Sequence, residues 1–243
     1  MAAGQVPYPY GLFLSTAIVL AYFLLAILAM DMMLPWFNVI TPNIHYLPKE
    51  AQGEVCLTFD DGPNPDYTPK ILDILDQKKV KAVFFCIGEN VVQFPQIAKE
   101  IARRGHIVAN HTQRHRTLPL LKLADAKREI QEGQASIERL TTGSKYMRFP
   151  RGYKSIFVHR LCQALGYVPI GFSYPAYDVE NPPADRIVDL ILGKVKSRDI
   201  LLFHDGCAPG KIGERSSLVE ALPRILDGIE KKGLRVVPIS QYF

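Results

Sequence analysis

Two hydrophobic patterns divide the chain. Residues 11–30 (GLFLSTAIVLAYFLLAILAM) run without a charge, and a helix of about twenty residues at ~1.5 Å each spans the ~30 Å core of a bilayer. Tyr8 and Tyr10 precede the run and Trp36 and Phe37 follow it, aromatics of the kind that favour membrane interfaces. A cleaved signal peptide fits less well: residues 1–9 hold no Lys or Arg, the run is longer than an ordinary signal core, and no small-x-small cleavage site follows. The pattern therefore predicts a single transmembrane helix with its flanks over 1–37. No Lys or Arg lies before Lys49, so loop charge leaves its orientation open. Residues 38–53, with Pro42, Pro48 and Gly53, read as a connector.

From residue 54 to 243 short apolar runs alternate with amphipathic ones. Apolar, β-branched and aromatic runs predict strands over 54–60, 80–87, 106–109, 146–149, 168–172, 199–203 and 235–239. Helical spacing predicts helices over 69–77, 96–104, 124–140, 156–165, 185–195 and 218–231, with Gly105, Gly166 and Gly233 as stops. Strand–helix alternation argues for parallel strands joined by helical crossovers. The units are short for an eight-fold barrel of ~250 residues, so the pattern predicts an α/β fold of a smaller or incomplete barrel. No glycine-rich phosphate fingerprint follows the first strand, which leaves nucleotide binding without support.

Composition changes this picture little. Hydrophobic residues make up 48% of the 243 and aromatics 10%, enough for a sizeable core. The net charge is +5; the first 53 residues hold only Lys49 against Asp31 and Glu50, so the excess of Lys and Arg lies in the remainder. The Lys and Arg residues are scattered, so no nucleic-acid surface is expected, and a mildly basic domain suits an anionic glycan or surface. Cys56, Cys86, Cys162 and Cys207 form no C-x-x-C pair, which argues against a zinc ribbon. Cys56 and Cys86 fall within strand runs as small core residues. Disulfides and the redox compartment stay open.

The chemistry begins at Thr58-Phe59-Asp60-Asp61-Gly62-Pro63, where a strand ends on two carboxylates. Strand ends are where α/β folds place their reactive groups, and a buried carboxylate pair requires a cation or water. Asn110-His111-Thr112-Gln113-Arg114-His115 follows the third strand. The i, i+4 spacing puts both imidazoles on one face of a helical turn, and with a carboxylate they make a His₂-Asp set that leaves positions open, as catalytic metal sites do. In Arg148-Phe149-Pro150-Arg151-Gly152-Tyr153, Arg148 can fork a carboxylate and the Pro150–Gly152 turn can offer a backbone N–H to an oxyanion. Asp178 lies after a further strand, and His204 ends Leu201-Leu202-Phe203. On its own that histidine reads first as a core-edge residue, with a general acid at the strand end as the alternative.

These motifs, in this order, resemble the polysaccharide deacetylases of carbohydrate esterase family 4, the NodB-like domain. The resemblance covers residues 54–239. It implies a distorted (β/α)7 barrel and assigns Asp60 as general base. It implies Asp61, His111 and His115 as ligands of a divalent metal, zinc foremost, with cobalt or nickel as alternatives. It further implies that Arg148 orients the base, that Asp178 tunes the catalytic His204, and that His204 is the general acid. The backbone N–H of Arg151 then serves the oxyanion.

The chain departs from the family pattern at Arg151, where an aromatic residue is usual, and at Val179, where tryptophan usually follows the aspartate. Tyr153 becomes the candidate for a stacking ring, and the Arg151 side chain one for an anionic substrate group. The expectation is a single-pass membrane hydrolase, its catalytic domain exocytoplasmic, that removes N-acetyl groups from a cell-wall, extruded or lipid-linked glycan. A deformylase or O-acetyl esterase would use the same residues. A non-catalytic glycan-binding protein would not need them all.

Overall fold

The computed structural model describes residues 9–34, 41–211 and 213–243. Tyr8, Trp36 and Phe37, read above as interface aromatics, lie outside them, as does the start of the connector. Helix α1 spans Pro9–Met33. Among the described residues no helix is long and apolar enough to cross a membrane. The side chains of residues 9–15 and 17 are outside the description.

The strands are β1 (Glu54–Asp60), β2 (Val83–Cys86), β3 (Ile107–Asn110), β4 (Tyr146–Met147), β5 (Val168–Pro169), β6 (Tyr174–Pro175), β7 (Ile200–His204) and β8 (Arg235–Val236). They form one parallel sheet in the order β5-β4-β3-β2-β1-β7-β6, with β8 beside the start of β1. Helices α2 (Thr68–Gln77), α3 (Gly88–Gln93), α4 (Pro95–Arg103), α5 (Leu123–Glu138), α6 (Ile156–Ala164), α7 (Ala184–Lys194) and α8 (Ser216–Lys231) make the crossovers. The sheet is a curled half-barrel flanked by helices, the arrangement of a distorted (β/α)7 barrel.

Every residue of β1 is buried, as a central parallel strand requires, and its period of two sorts them. Val55, Leu57 and Phe59 face outward into the core against the helices. Phe59 stacks on Phe84 at 4.9 Å and on Phe203 at 5.6 Å. Cys56 faces inward with Val83, Phe85 and Ile200, and by the same period Thr58 and Asp60 face the barrel interior. The helices bury one stripe each; α8, for example, buries Leu218, Leu222, Ile225 and Ile229. The stop glycines Gly105, Gly166 and Gly233 adopt φ values of 77°, 77° and 72°, the left-handed geometry that glycine supplies at a helix end.

The structure differs from the sequence expectation in the length and number of its elements, and the strands expected over 146–149, 168–172 and 235–239 are confined to Tyr146–Met147, Val168–Pro169 and Arg235–Val236. Helix α3 and strand β6 are additional. Both are short, and β6 contains Pro175, so neither carries a readable period. The strand expected over 80–87 is confined to Val83–Cys86. The segment read as a connector joins the sheet, with Ile44 bridging to Ile170 and Tyr46 to Asp199. It fills the gap between β5 and β7 with backbone bonds such as Gly171 N–H to Ile44 O, 2.8 Å. All four cysteines are free thiols.

Phe59→Ala empties the centre of the outer core and should cost about 3–5 kcal/mol, the range for buried Phe→Ala. Urea denaturation should show a lower midpoint at an unchanged slope.

Candidate active site

The parallel register assembles the site. Asp60 pairs with His204 across β1 and β7, and Cys86 with Asn110 across β2 and β3, so the reactive residues meet at the carboxyl ends of the strands. The loops after β1 and β7 pass very close. A Cβ at Gly62 would overlap the Asp205 carboxylate, and one at Gly206 would overlap the Asp61 carbonyl. The sequence stop after the Asp pair is thus a packing requirement. Asn90 of α3 secures both loops, its Nδ2 donating to Asp61 O at 2.8 Å and Cys207 O at 3.0 Å.

Asp60 and Asp61 lie in different environments. The Arg148 guanidinium, 2% exposed, donates to Asp60 Oδ1 at 2.7 Å and to Thr58 Oγ1 at 2.8 Å. Its other nitrogens donate to Ile170 O at 3.2 Å and Gly171 O at 2.7 Å. Its plane lies over Phe85 at 4.2 Å, a cation–π contact away from water. Asp61 instead faces the histidines: its Oδ1 is 3.4 Å from His111 Nε2 and 3.3 Å from His115 Nε2. One ligand atom from each of Asp61, His111 and His115 lies within 4.8 Å of the others.

This set fits a metal on chemical grounds. His111 Nδ1 meets the Arg148 carbonyl at 2.9 Å. A carbonyl only accepts, so Nδ1 holds the proton and the neutral ring's Nε2 is a bare lone pair directed at a carboxylate. Asp61 Oδ1 is buried with no hydrogen-bond partner among the described residues. Lone pairs facing each other at this range call for a proton or a metal cation between them, and two imidazoles converging on one carboxylate suit the metal. Burial opposes a charge on His111, but Asp60, Asp61 and the Arg148 carbonyl outweigh it and raise its pKa. Burial and the neighbouring His111 lower His115 to about 4, leaving it neutral as a ligand must be. Burial also opposes ionisation of Asp61, yet the three surrounding histidines hold it well below the usual carboxylate range.

The pair His111 and His115 was expected on a helical turn. The structure places them in an irregular loop, with Thr112 at φ 68° and His115 at φ 56°. The loop folds back: Thr112 N–H donates to Asn110 Oδ1 at 2.8 Å, and His115 N–H to Thr112 Oγ1 at 3.1 Å. Local side-chain to backbone bonds of this kind displace the helix and still converge both rings on Asp61.

His204 is gripped twice by buried Asp178. Its backbone N–H donates to Oδ2 at 2.7 Å, and its ring Nδ1 lies 2.9 Å from Oδ1. Burial lowers the His204 pKa, but the Asp178 carboxylate, helped by Asp61 and Asp60, overrides it and raises the value to about 9. The Asp178 contact therefore favours the imidazolium near neutrality.

A cavity of about 620 Å³ opens above these groups, lined among others by Asp60, Asp61, His111, His115 and His204. Arg151 lines it in a left-handed conformation, φ 60° and ψ 7°. Tyr153 does not; the aromatic surfaces at the cavity are Phe172 and the exposed Tyr177. Sequence reasoning passed over Tyr177 as a mere neighbour of Asp178, and over Asn90 and Asp205. Asp205 is fully buried behind the Asp pair, accepts from Thr68 Oγ1, and is raised by burial to about 7.

Comparison with known proteins agrees with this geometry. The family model described as polysaccharide deacetylase matches residues 48–170. The chain is 33% identical over 204 residues to a chitooligosaccharide deacetylase of Sinorhizobium fredii, covering 80% of this chain and 95% of the relative. It is 36% identical over 191 residues to a peptidoglycan-N-acetylglucosamine deacetylase of Bacillus cereus, covering 77% and 86%. The solved Bc1960 peptidoglycan N-acetylglucosamine deacetylase superposes with a TM-score of 0.78 at 33% identity, covering 83% of this chain and 92% of that one. A mutant of BA3943, a CE4 family pseudoenzyme with restored enzymatic activity, gives 0.74 at 26% identity, covering 81% and 70%.

NMR titration of the histidines should find His204 changing charge near pH 9, and Asp178→Asn should bring it down to or below the ordinary ~6.5. Folding raises this pKa, so the charge stabilises the native state fully below pH ~6.5 and the benefit disappears as pH rises through about 9. An unshifted His204 in Asp178→Asn would separate it from that carboxylate.

Proposed function

Since the chain belongs to the polysaccharide deacetylase family, we propose that it is a metal-dependent hydrolase that removes N-acetyl groups from the amino sugars of a glycan. The observation that carries this reading is the division of labour between adjacent carboxylates, Asp60 on Arg148 and Asp61 on two histidines. The same fold occurs in a pseudoenzyme, so the side-chain set, and not the fold, is the argument for catalysis.

Asp61, His111 and His115 would hold the divalent ion, zinc foremost. When bound, such an ion supplies Lewis acidity that lowers the pKa of a water and polarises an acyl oxygen. Asp60 takes the proton of the attacking water. Arg148 keeps one Asp60 oxygen occupied and so turns the other toward the cavity, where it lies 3.7 Å from His111 Nε2. The Arg151 N–H meets the developing oxyanion at the left-handed turn. His204, cationic on Asp178, passes its proton to the amine nitrogen as the C–N bond breaks. Water thus gives its oxygen to the acyl group, and the products are acetate and a free amine.

The relatives' names point to N-acetylglucosamine polymers and chitooligosaccharides as the substrate class. We also propose an N-terminal membrane anchor at helix α1. Leu20, Tyr22, Phe23, Leu24 and Leu25 are each more than half exposed, an apolar surface that calls for lipid. Peptidoglycan lies outside the cytoplasmic membrane, which favours an exocytoplasmic catalytic domain on cell-wall, extruded or lipid-linked glycan.

Asp60→Asn should reduce acetate release from chitooligosaccharides by about 10²–10⁴-fold, the scale of a lost general base, while zinc titration calorimetry still finds one site. His115→Ala should lose that site. Acetate release by Asp60→Asn near the parent rate would overturn the base assignment. Formate in place of acetate would move the reading to a deformylase.

A further inference from the structure

The segment that follows β4 serves two ends of the molecule. At Arg148 it holds Asp60, and at Arg151 and Gly152 it lines the cavity. At Lys154 it grips the end of α1: Lys154 N–H donates to Met32 O at 3.1 Å. The Lys154 ammonium, fully buried, donates to Thr41 O at 2.8 Å. Thr41 Oγ1 in turn donates to Asp31 of α1, and the Asp31 carboxylate favours the Lys154 charge against burial. His159 Nε2 meets Pro42 O at 2.9 Å in the same buried cluster. Asp31 is 2% exposed, whereas the described α1 residues from Ile18 to Leu28 are almost all exposed. The helix thus leaves the domain from its last turn.

Three peptide steps lead from Arg151 to Lys154, at most ~11 Å of chain. The wall residue Arg151 therefore lies within ~11 Å of chain of the residue that holds the end of α1. Phe157, 72% exposed, follows Lys154 closely. Leu120 and Leu123, 78% and 51% exposed, flank a turn that packs on α6 through Leu118 and Val158. These are exposed apolar side chains on and beside α6, the helix that follows Lys154.

The cavity wall carries a charge pattern of its own. Arg151 and Lys211 line it and are exposed, and among the described residues neither forms an ion pair. Arg215, the third cation there, is committed to the carbonyls of Gly206, Val179 and Glu214. The carboxylates in the lining are Asp60 and Asp61, both already engaged. The open part of the wall is therefore positive.

We propose, on the footing of the deacetylase reading, that the substrate is a membrane-borne N-acetylated amino sugar joined to its lipid through phosphate, with Arg151 and Lys211 meeting the phosphate oxygens. The short chain from Arg151 to the α1 junction keeps the cavity wall near the membrane that α1 is proposed to enter, and two cations without ion pairs among the described residues answer the charge of such a phosphate. A neutral polymer would use neither feature. The reaction is the amide hydrolysis already written, and the phosphate linkage stays intact.

The test uses the zinc-loaded full chain in phosphatidylcholine vesicles and compares kcat/KM for acetate release from three substrates. These are a polyprenyl-phosphate-linked N-acetylglucosamine, soluble N-acetylglucosamine 1-phosphate and chitotetraose. The lipid-linked sugar should lead chitotetraose by tenfold or more. Arg151→Gln with Lys211→Gln should reduce that lead by about tenfold or more, chiefly through KM, since both charge-assisted bonds to phosphate are lost. Raising the salt should erode the parent's lead in the same way, which tests the charge without any variant. Chitotetraose matching the lipid-linked sugar, or a salt-independent lead, would overturn the proposal. The soluble sugar phosphate matching the lipid-linked one would overturn lipid presentation. Acetate from none of the three would overturn the deacetylase reading and this inference with it, whereas acetate from chitotetraose alone would overturn only the inference.

Discussion

The guanidinium of Arg148 inside the barrel is the contact on which the site depends. It reaches from the end of β4 to Thr58 and Asp60 of β1 and to the carbonyls of Ile170 and Gly171. One buried side chain therefore ties the central strand to the edge of an open sheet. Removing one partner from such a pair leaves the other charge buried and alone, which costs about 3–5 kcal/mol. The arrangement persists because almost every guanidinium donor has an acceptor and Phe85 lies against its face. Arg148 also decides which Asp60 oxygen is free, so the same contact organises both fold and chemistry.

The charges around it explain why neighbours in sequence differ in task. Asp60 has its cation built in, in Arg148. Asp178 has its own in His204. Asp61 faces two imidazoles, His115 held neutral near pKa 4 and His111 with a raised pKa, and no Lys or Arg among the described residues pairs with it. The site is short of positive charge at one point, between Asp61 Oδ1 and two Nε2 atoms. That deficit, more than the distances alone, marks the place for a divalent ion.

Much of this was legible in the sequence because it depends on local periods. The strand ending in the Asp pair, the helices with their glycine stops and the order of the motifs follow from spacing and turn chemistry. What was not legible depends on contacts between distant segments. His111 and His115 share a metal-sized gap because Asn110 and Thr112 bend the loop, not because of a helical turn. Tyr177 rather than Tyr153 reaches the cavity, since the turn at Arg151 directs Tyr153 elsewhere. Strand β6 exists only by pairing with β7, and two residues carry no period to read. The segment after α1 looked like a linker because its prolines and polar residues give no pattern, yet Ile44 and Tyr46 find partners on the sheet.

The loop from Arg148 to Lys154 binds these observations into one constraint. Its first residue holds the inner carboxylate, its middle shapes the cavity, and its last is buried against α1. A seven-residue segment with so many fixed points has little freedom to move one function without the others. The left-handed Arg151 between them, φ 60° without being glycine, costs of order 1 kcal/mol and persists only where both flanks are anchored. Arg148 supplies one anchor through Asp60, and Lys154 supplies the other through Met32 and Thr41. The helix end is thus part of what holds the cavity wall in shape, and the wall's geometry belongs to the whole chain rather than to the barrel alone.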